Sequence, residues 1–311
     1  MVTRFLLPVL LSVLLLLPAC GARNAKQSAI DDRTSVRTMH IGDMTVLALL
    51  DRAMPASAKI FPDLDQYPER KAVFEADARP SVSRTYVVRQ GKHVVLIDSG
   101  WGPSDQGQTL ALLQQNGIQP VHVSHVLLTH LDGDHVAGLV DGQGQAVFPN
   151  ATLFVPRVEA RAWLSSKPTE QPKRPQAKIA LARKVLAAYK GRVKQFRGDD
   201  SILPGITAID ARGHTPGHVA YEIVSTDAQG NKQGLTIVGD LLHHAGLQLR
   251  WPSYCAIYDC DPKLAAMVRE GLLARAVRTG VPIAGMHFAA IGRVEPLPGG
   301  GYKIVDMGLP R

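Results

Sequence analysis

Apolar residues come in short bursts along this chain, and several bursts end abruptly on His or Asp. Brief β-branched and apolar runs bounded by Gly, Pro, Asn or Asp predict strands. Met44 to Leu50, Thr85 to Arg89, His93 to Ile97, Val121 to Leu128 and Thr152 to Val155 form one such set. Ile206 to Asp210, Val219 to Ser225, Leu235 to Val238 and Ile283 to Gly285 form a second. Helical spacing covers Gln106 to Gln115, Glu159 to Ser165, Ala177 to Lys190 and Pro262 to Thr279, the last with Pro at its start and Gly280 at its end. Ser166 to Pro175, rich in Pro, Lys and Gln, predicts an exposed loop. Two successive strand-rich halves, each closing with helices, predict stacked sheets with helices outside and no internal repeat.

The N-terminus follows a different pattern. Behind Arg4, Phe5 to Pro18 is almost unbroken in its apolarity, short for a membrane span, and followed by small residues. Residues 1–19 therefore read as a signal peptide. Leu17-Pro18-Ala19-Cys20, followed by Gly21, resembles the lipobox of bacterial lipoproteins. That resemblance implies cleavage before Cys20 and acylation of its sulfur and new amino group. It also implies an exported protein anchored to a bacterial membrane, facing the periplasm or the exterior. Plain secretion with an incidental cysteine is the alternative. Residues 20–38 are polar and aperiodic, as a flexible tether would be, which leaves 39–311 as the folded domain.

Composition changes the picture at two points. With 311 residues, 45% of them hydrophobic, the chain can bury a large core. The net charge of +8 raises nucleic acid as a partner. Many of the cations fall in one stretch, Lys167 to Arg197, without a zinc finger, an RNA-binding aromatic motif or a basic heptad. They read as a solvated face, and no nucleic-acid partner is expected. Export would permit a disulfide between Cys255 and Cys260, two free thiols are the equal alternative, and there is no CxxC metal pattern.

The candidate chemistry lies where the apolar bursts stop. Thr129-His130-Leu131-Asp132-Gly133-Asp134-His135 packs four potential ligands into six residues, with Gly133 allowing a tight turn. Imidazole with carboxylate suits zinc, manganese or iron, whereas calcium would need oxygen alone. Gly213-His214-Thr215-Pro216-Gly217-His218, Asp240 and His287 also follow predicted strands. Widely separated strand ends that each deliver His or Asp predict one metal site on the edge of a sheet sandwich. His243 and His244, just past Asp240, are candidates to face a substrate, and Phe148, Trp163, Trp251 and Phe288 to line an apolar pocket.

The order Asp98, HxDxDH, GHTPGH, Gly-Asp and a late His resembles the metallo-β-lactamase superfamily over residues 40–311. Gly239-Asp240-Leu-Leu-His-His, Gln248 to Pro252, Asp259 to Pro262 and Gly285-Met-His-Phe look more narrowly like the branch of methyl parathion hydrolase and quorum-quenching lactonases. The resemblance implies an α/β (α+β) fold, a four-layer αββα sandwich, holding two divalent metal ions bridged by hydroxide. Zinc is the first expectation. One ion would take His130, Asp132 and His214, the other Asp134, His135 and His287, with Asp240 bridging. Asp98 would orient a ligand histidine, and His218 would either support a ligand or stabilise its turn.

Asp132 departs from the family pattern, which has His there. An added carboxylate makes the site less positive, which favours iron or manganese or a weakly held first ion. The implied activity is hydrolysis of an ester or lactone, with phosphotriesters as promiscuous small-molecule substrates and Asp134 and Asp240 as the catalytic carboxylates. β-Lactam hydrolysis and iron-dependent oxygen or sulfur chemistry are the competing readings. No GxSxG nucleophile elbow is present.

Overall fold

The computed structural model describes residues 35–77 and 79–307. The expected signal peptide, Cys20 and most of the expected tether lie outside them. Strand β1 (Val36–Ile41) begins inside the tether as read from the sequence, because Met39 and Ile41 are buried. No helix among the described residues is long and apolar enough to cross a membrane.

Two seven-stranded sheets build the molecule. The first holds β1, β2 (Met44–Met54), β3 (Ser81–Gln90), β4 (His93–Ile97), β5 (His125–Leu127), β6 (Thr152–Pro156) and β7 (Val193–Phe196) in chain order. The second holds β8 (Ser201–Leu203), β9 (Ile206–Asp210), β10 (Val219–Thr226), β11 (Lys232–Ile237), β12 (Ile283–Ala284), β13 (Gly292–Pro296) and β14 (Tyr302–Asp306). β4 to β7 run parallel, as do β11 and β12, while the remaining neighbours are antiparallel.

Residue-by-residue alternation explains why several strands read as unbroken apolar runs. Val46, Ala48, Tyr86, Val88, Val95 and Ile97 face the second sheet, whose Ile206, Tyr221, Ile223, Leu235 and Ile237 meet them. Their neighbours Leu47, Leu49, Val87 and Leu96 face outward beneath Leu112, Trp163, Ile179 and Val185 of the covering helices. A strand covered on both faces needs apolar residues at both parities. Leu249, Leu273 and Ala276 cover the outer face of the second sheet in the same way. The layers are therefore helix, sheet, sheet, helix, as the sequence predicts.

Helix Pro262–Thr279 matches its expected bounds: Asp261 caps it by accepting from Leu264 N, and Gly280 ends it in the left-handed region. The expected strand from Val121 is corrected. Pro120–His122 forms a 3₁₀ turn that leaves Val121 51% exposed, and the strand starts only at His125. Cys255 and Cys260 are free thiols.

Candidate metal centre

The chemistry gathers at one rim of the sandwich. Asp98 follows β4, the His130–His135 segment follows β5, His214 lies in the turn between β9 and β10, Asp240 follows β11, and His287 follows β12. Two ligand-like groups result, sharing Asp240: Asp134, His135, Asp240 and His287, and His130, His214 and Asp240, with donor atoms within 4.8 Å of one another in each. His135 Nε2 lies 3.2 Å from Asp240 Oδ1 and 3.6 Å from Asp134 Oδ2. His287 Nε2 lies 3.5 Å from Asp134 Oδ2, and His214 Nε2 lies 3.5 Å from Asp240 Oδ2. Donors placed tetrahedrally at metal-bond length sit about 3.4 Å apart, so these spacings fit a cation between them.

Each of the four imaginable ligand rings is anchored through Nδ1 and turns Nε2 to the centre. His135 Nδ1 donates to Asp98 Oδ2 at 2.7 Å, His214 Nδ1 to Asp259 Oδ1 at 3.1 Å, and His287 Nδ1 to the Val82 carbonyl at 3.0 Å. His130 Nδ1 lies 2.9 Å from the Thr129 hydroxyl, which itself donates to Asp98 at 2.6 Å. Fixing one ring nitrogen in this way selects the tautomer whose other nitrogen offers a lone pair.

Two observations show that the group set fits a cation. Buried His130 Nε2, His135 Nε2 and Asp240 Oδ1 lack any hydrogen-bond partner, a costly arrangement unless something else binds them. His135 is also driven well above the ordinary imidazole value: burial opposes its charge, but Asp240, Asp134 and Asp98 prevail. Crowded carboxylates thus draw positive charge into the cluster, which a divalent ion could supply.

Asp98 and His218 occupy supporting positions. Asp98 adopts φ 56° and takes Thr129 N at 2.8 Å, joining the ends of β4 and β5. His218 gives its Nδ1 proton to the Ala211 carbonyl and accepts Asp240 N at 3.0 Å. Burial, with His214 adding repulsion, lowers its pKa to about 4, so the ring stays neutral and keeps that acceptor. Gly239 has φ 57°, and a Cβ there would stand 2.5 Å from His218 Nε2.

Asp132, expected beside His130 and His214, does lie next to both, at 3.4 and 3.2 Å, and is also paired with an arginine. It stands in neither group; both of its oxygens are taken by Arg174, from Nε to Oδ1 and Nη2 to Oδ2, each at 2.6 Å. Burial would raise its pKa, but the neighbouring imidazoles of His130 and His214 and the Arg174 guanidinium hold it well below the usual carboxylate range. The guanidinium offsets the extra carboxylate charge on which the expectation of iron or manganese rests.

Sequence reasoning passed over three side chains here. Arg174 comes from the segment expected to be a plain exposed loop, yet its side chain is only 9% exposed. Glu159, fully buried, accepts from Leu131 N, Trp163 Nε1, the Thr215 hydroxyl and Gly217 N, and so ties the two histidine loops together. Asp259 supports His214 and is paired at 3.1 Å with the buried Arg269. Of the aromatic candidates, Phe148 and Trp163 belong to the core, whereas Phe288 lines a cleft beside His287 with Phe61 and Phe74. His243 and His244 also reach that cleft.

A two-sheet sandwich carrying a His/Asp cluster at the strand ends defines a class of metal-binding proteins. The family model of the Metallo-beta-lactamase superfamily matches residues 78–261, more than half of the chain, and the chain belongs to that superfamily. It is similar to a probable metallo-hydrolase of Mycobacterium bovis, 29% identical over 179 residues. That match covers 49% of this chain and 54% of the relative, so the chain spans about half the length of the curated relatives it matches. Among solved structures, the hydrolase AbOPH of the beta lactamase superfamily is 32% identical, with a TM-score of 0.79 over 89% of this chain and 99% of that one. AidC, a dizinc quorum-quenching lactonase, shares the fold at 22% identity and TM-score 0.80, over 90% of this chain and 100% of that one.

Proposed function

We propose that this chain is a metal-dependent hydrolase that cleaves an ester or lactone, with phosphotriesters as secondary substrates. The convergence of four Nδ1-anchored imidazoles on the two oxygens of Asp240 carries this reading. Asp134, His135 and His287 would hold one divalent ion, His130 and His214 a second, and Asp240 would offer an oxygen to each. Ions held by these residues would supply a nucleophilic hydroxide near neutral pH and would polarise the oxygen of the attacked group.

The protein's own part is positioning and proton handling. Asp240, fixed by His218 and buried, turns Oδ1 to His135 and Oδ2 to His287, His214 and His130, so one carboxylate faces both groups. Asp134 stands at the solvent side of the cluster, where its free oxygen can take the proton released as the nucleophile attacks. The cleft lined by Phe61, Phe74 and Phe288 opens beside His287 and suits an apolar acyl or aryl group. AidC is by name a lactonase and AbOPH a hydrolase, which supports this substrate class and the narrower branch read from the sequence.

The test is a panel of a lactone, an aryl ester, a phosphotriester and a β-lactam, run with chelator and after zinc is restored. Ester or lactone turnover that disappears with chelator and returns with metal is expected. Turnover indifferent to chelator would refute the reading. Phe61→Ala should raise KM several-fold for long-chain lactones and leave that of a short ester unchanged.

We also propose export and membrane attachment through acylated Cys20, on the strength of the lipobox resemblance. Labelled palmitate should enter the wild-type protein and not Cys20→Ser.

A further inference from the structure

We infer that the two cation subsites are unequal, because Arg174 pairs with Asp132 and so withdraws a negative charge from the first. This inference rests on the reading of the cluster as a metal centre.

The guanidinium meets the atoms that a metal ion at His130 and His214 would need. Its Nε and Nη2 take both Asp132 oxygens at 2.6 Å. Nη2 also lies 3.4 Å from His214 Nε2, the very lone pair that faces the centre. Nη1 is held at 3.3 Å from Cys260 Sγ and 3.2 Å from the Lys173 carbonyl, so the fork is gripped from its far side as well. A bidentate arginine–carboxylate pair at this burial keeps its geometry and does not swing away as a solvated lysine would.

Asp132 Oδ2 lies 3.2 Å from His214 Nε2 and 3.4 Å from His130 Nε2, close enough to ligate had it been free. Held by Arg174, it leaves this subsite two imidazoles and a share of Asp240. The other subsite keeps Asp134, His135, His287 and Asp240, two carboxylates among them. Opposite charges attract and like charges repel most strongly where water is excluded. The first ion to bind therefore takes the Asp134, His135, Asp240 and His287 subsite. The His130 and His214 subsite fills only at much higher metal concentration.

Metal-free full-length protein dialysed against stepped free zinc concentrations, with bound zinc measured by mass spectrometry, tests this without reference to activity. Wild type should bind one equivalent tightly and the second in a separate, weaker step. Arg174→Gln frees Asp132 and removes the charge, and should tighten the second step at least tenfold, about 1.4 kcal/mol. Asp132→His/Arg174→Gln, which leaves no unpaired carboxylate should the single variant fold poorly, should bind two ions with similar affinity. Two equally tight ions in the wild type, or a second step unmoved in both variants, would overturn the role of Arg174 alone. Failure of every form to bind zinc would overturn the metal-centre reading itself and this inference with it.

Discussion

An imidazole that offers Nε2 inward needs a partner on Nδ1, and Asp98, Asp259 and the Val82 carbonyl provide it for three of the rings. These supports set affinity as well as orientation. Replacing Asp98 by Asn removes the charge that favours the Nδ1–H tautomer of His135, and should weaken metal binding about 10- to 100-fold in equilibrium dialysis. Arg269 and Asp259 are both fully shielded from water at their side chains. Truncating Arg269 to Ala strands a carboxylate in the interior and should cost about 3–5 kcal/mol in urea unfolding. The residues of the His/Asp cluster were legible in the sequence because His and Asp stand at the ends of apolar runs. Asp259, Glu159 and Arg174 were not, because a buried charge satisfied by distant partners leaves no local spacing to read. Arg174 in particular lies in a Pro- and Lys-rich segment whose composition describes an exposed loop and cannot say which one of its cations turns inward.

At the level of elements, the rim is held together by side chains that bridge loops from opposite sheets. Glu159, on helix Arg157–Leu164, reaches the first histidine loop at Leu131 and the second at Thr215 and Gly217. Glu159→Ala would leave several buried donors without a partner, at about 1–3 kcal/mol for each. Unfolding by urea should show a loss of at least about 3 kcal/mol, and zinc affinity should fall with it. Strands covered on both faces were the readiest to foresee, since their apolar runs are continuous. β13 and β14 escaped notice because each mixes charged with apolar residues, and β14 forms the edge of its sheet. Helix Pro68–Ala76 has no fully buried residue and lays only Val73 and Phe74 on the core, too short an apolar stripe to stand out in the sequence.

For the molecule as a whole, the two sheets act as one frame on which five separate chain segments converge. Such a site exists only in the folded state, so an ion bound there stabilises that state by mass action. Zinc at a hundredfold excess over its dissociation constant should add about 2.7 kcal/mol, and chelator should lower the melting temperature correspondingly. Anomalous diffraction at the zinc edge, on crystals grown with zinc, locates the ion itself. A peak about 2.0–2.2 Å from His135 Nε2, His287 Nε2 and the nearest Asp134 and Asp240 oxygens is the expected result. Zinc-saturated crystals with no peak among those four side chains would contradict it.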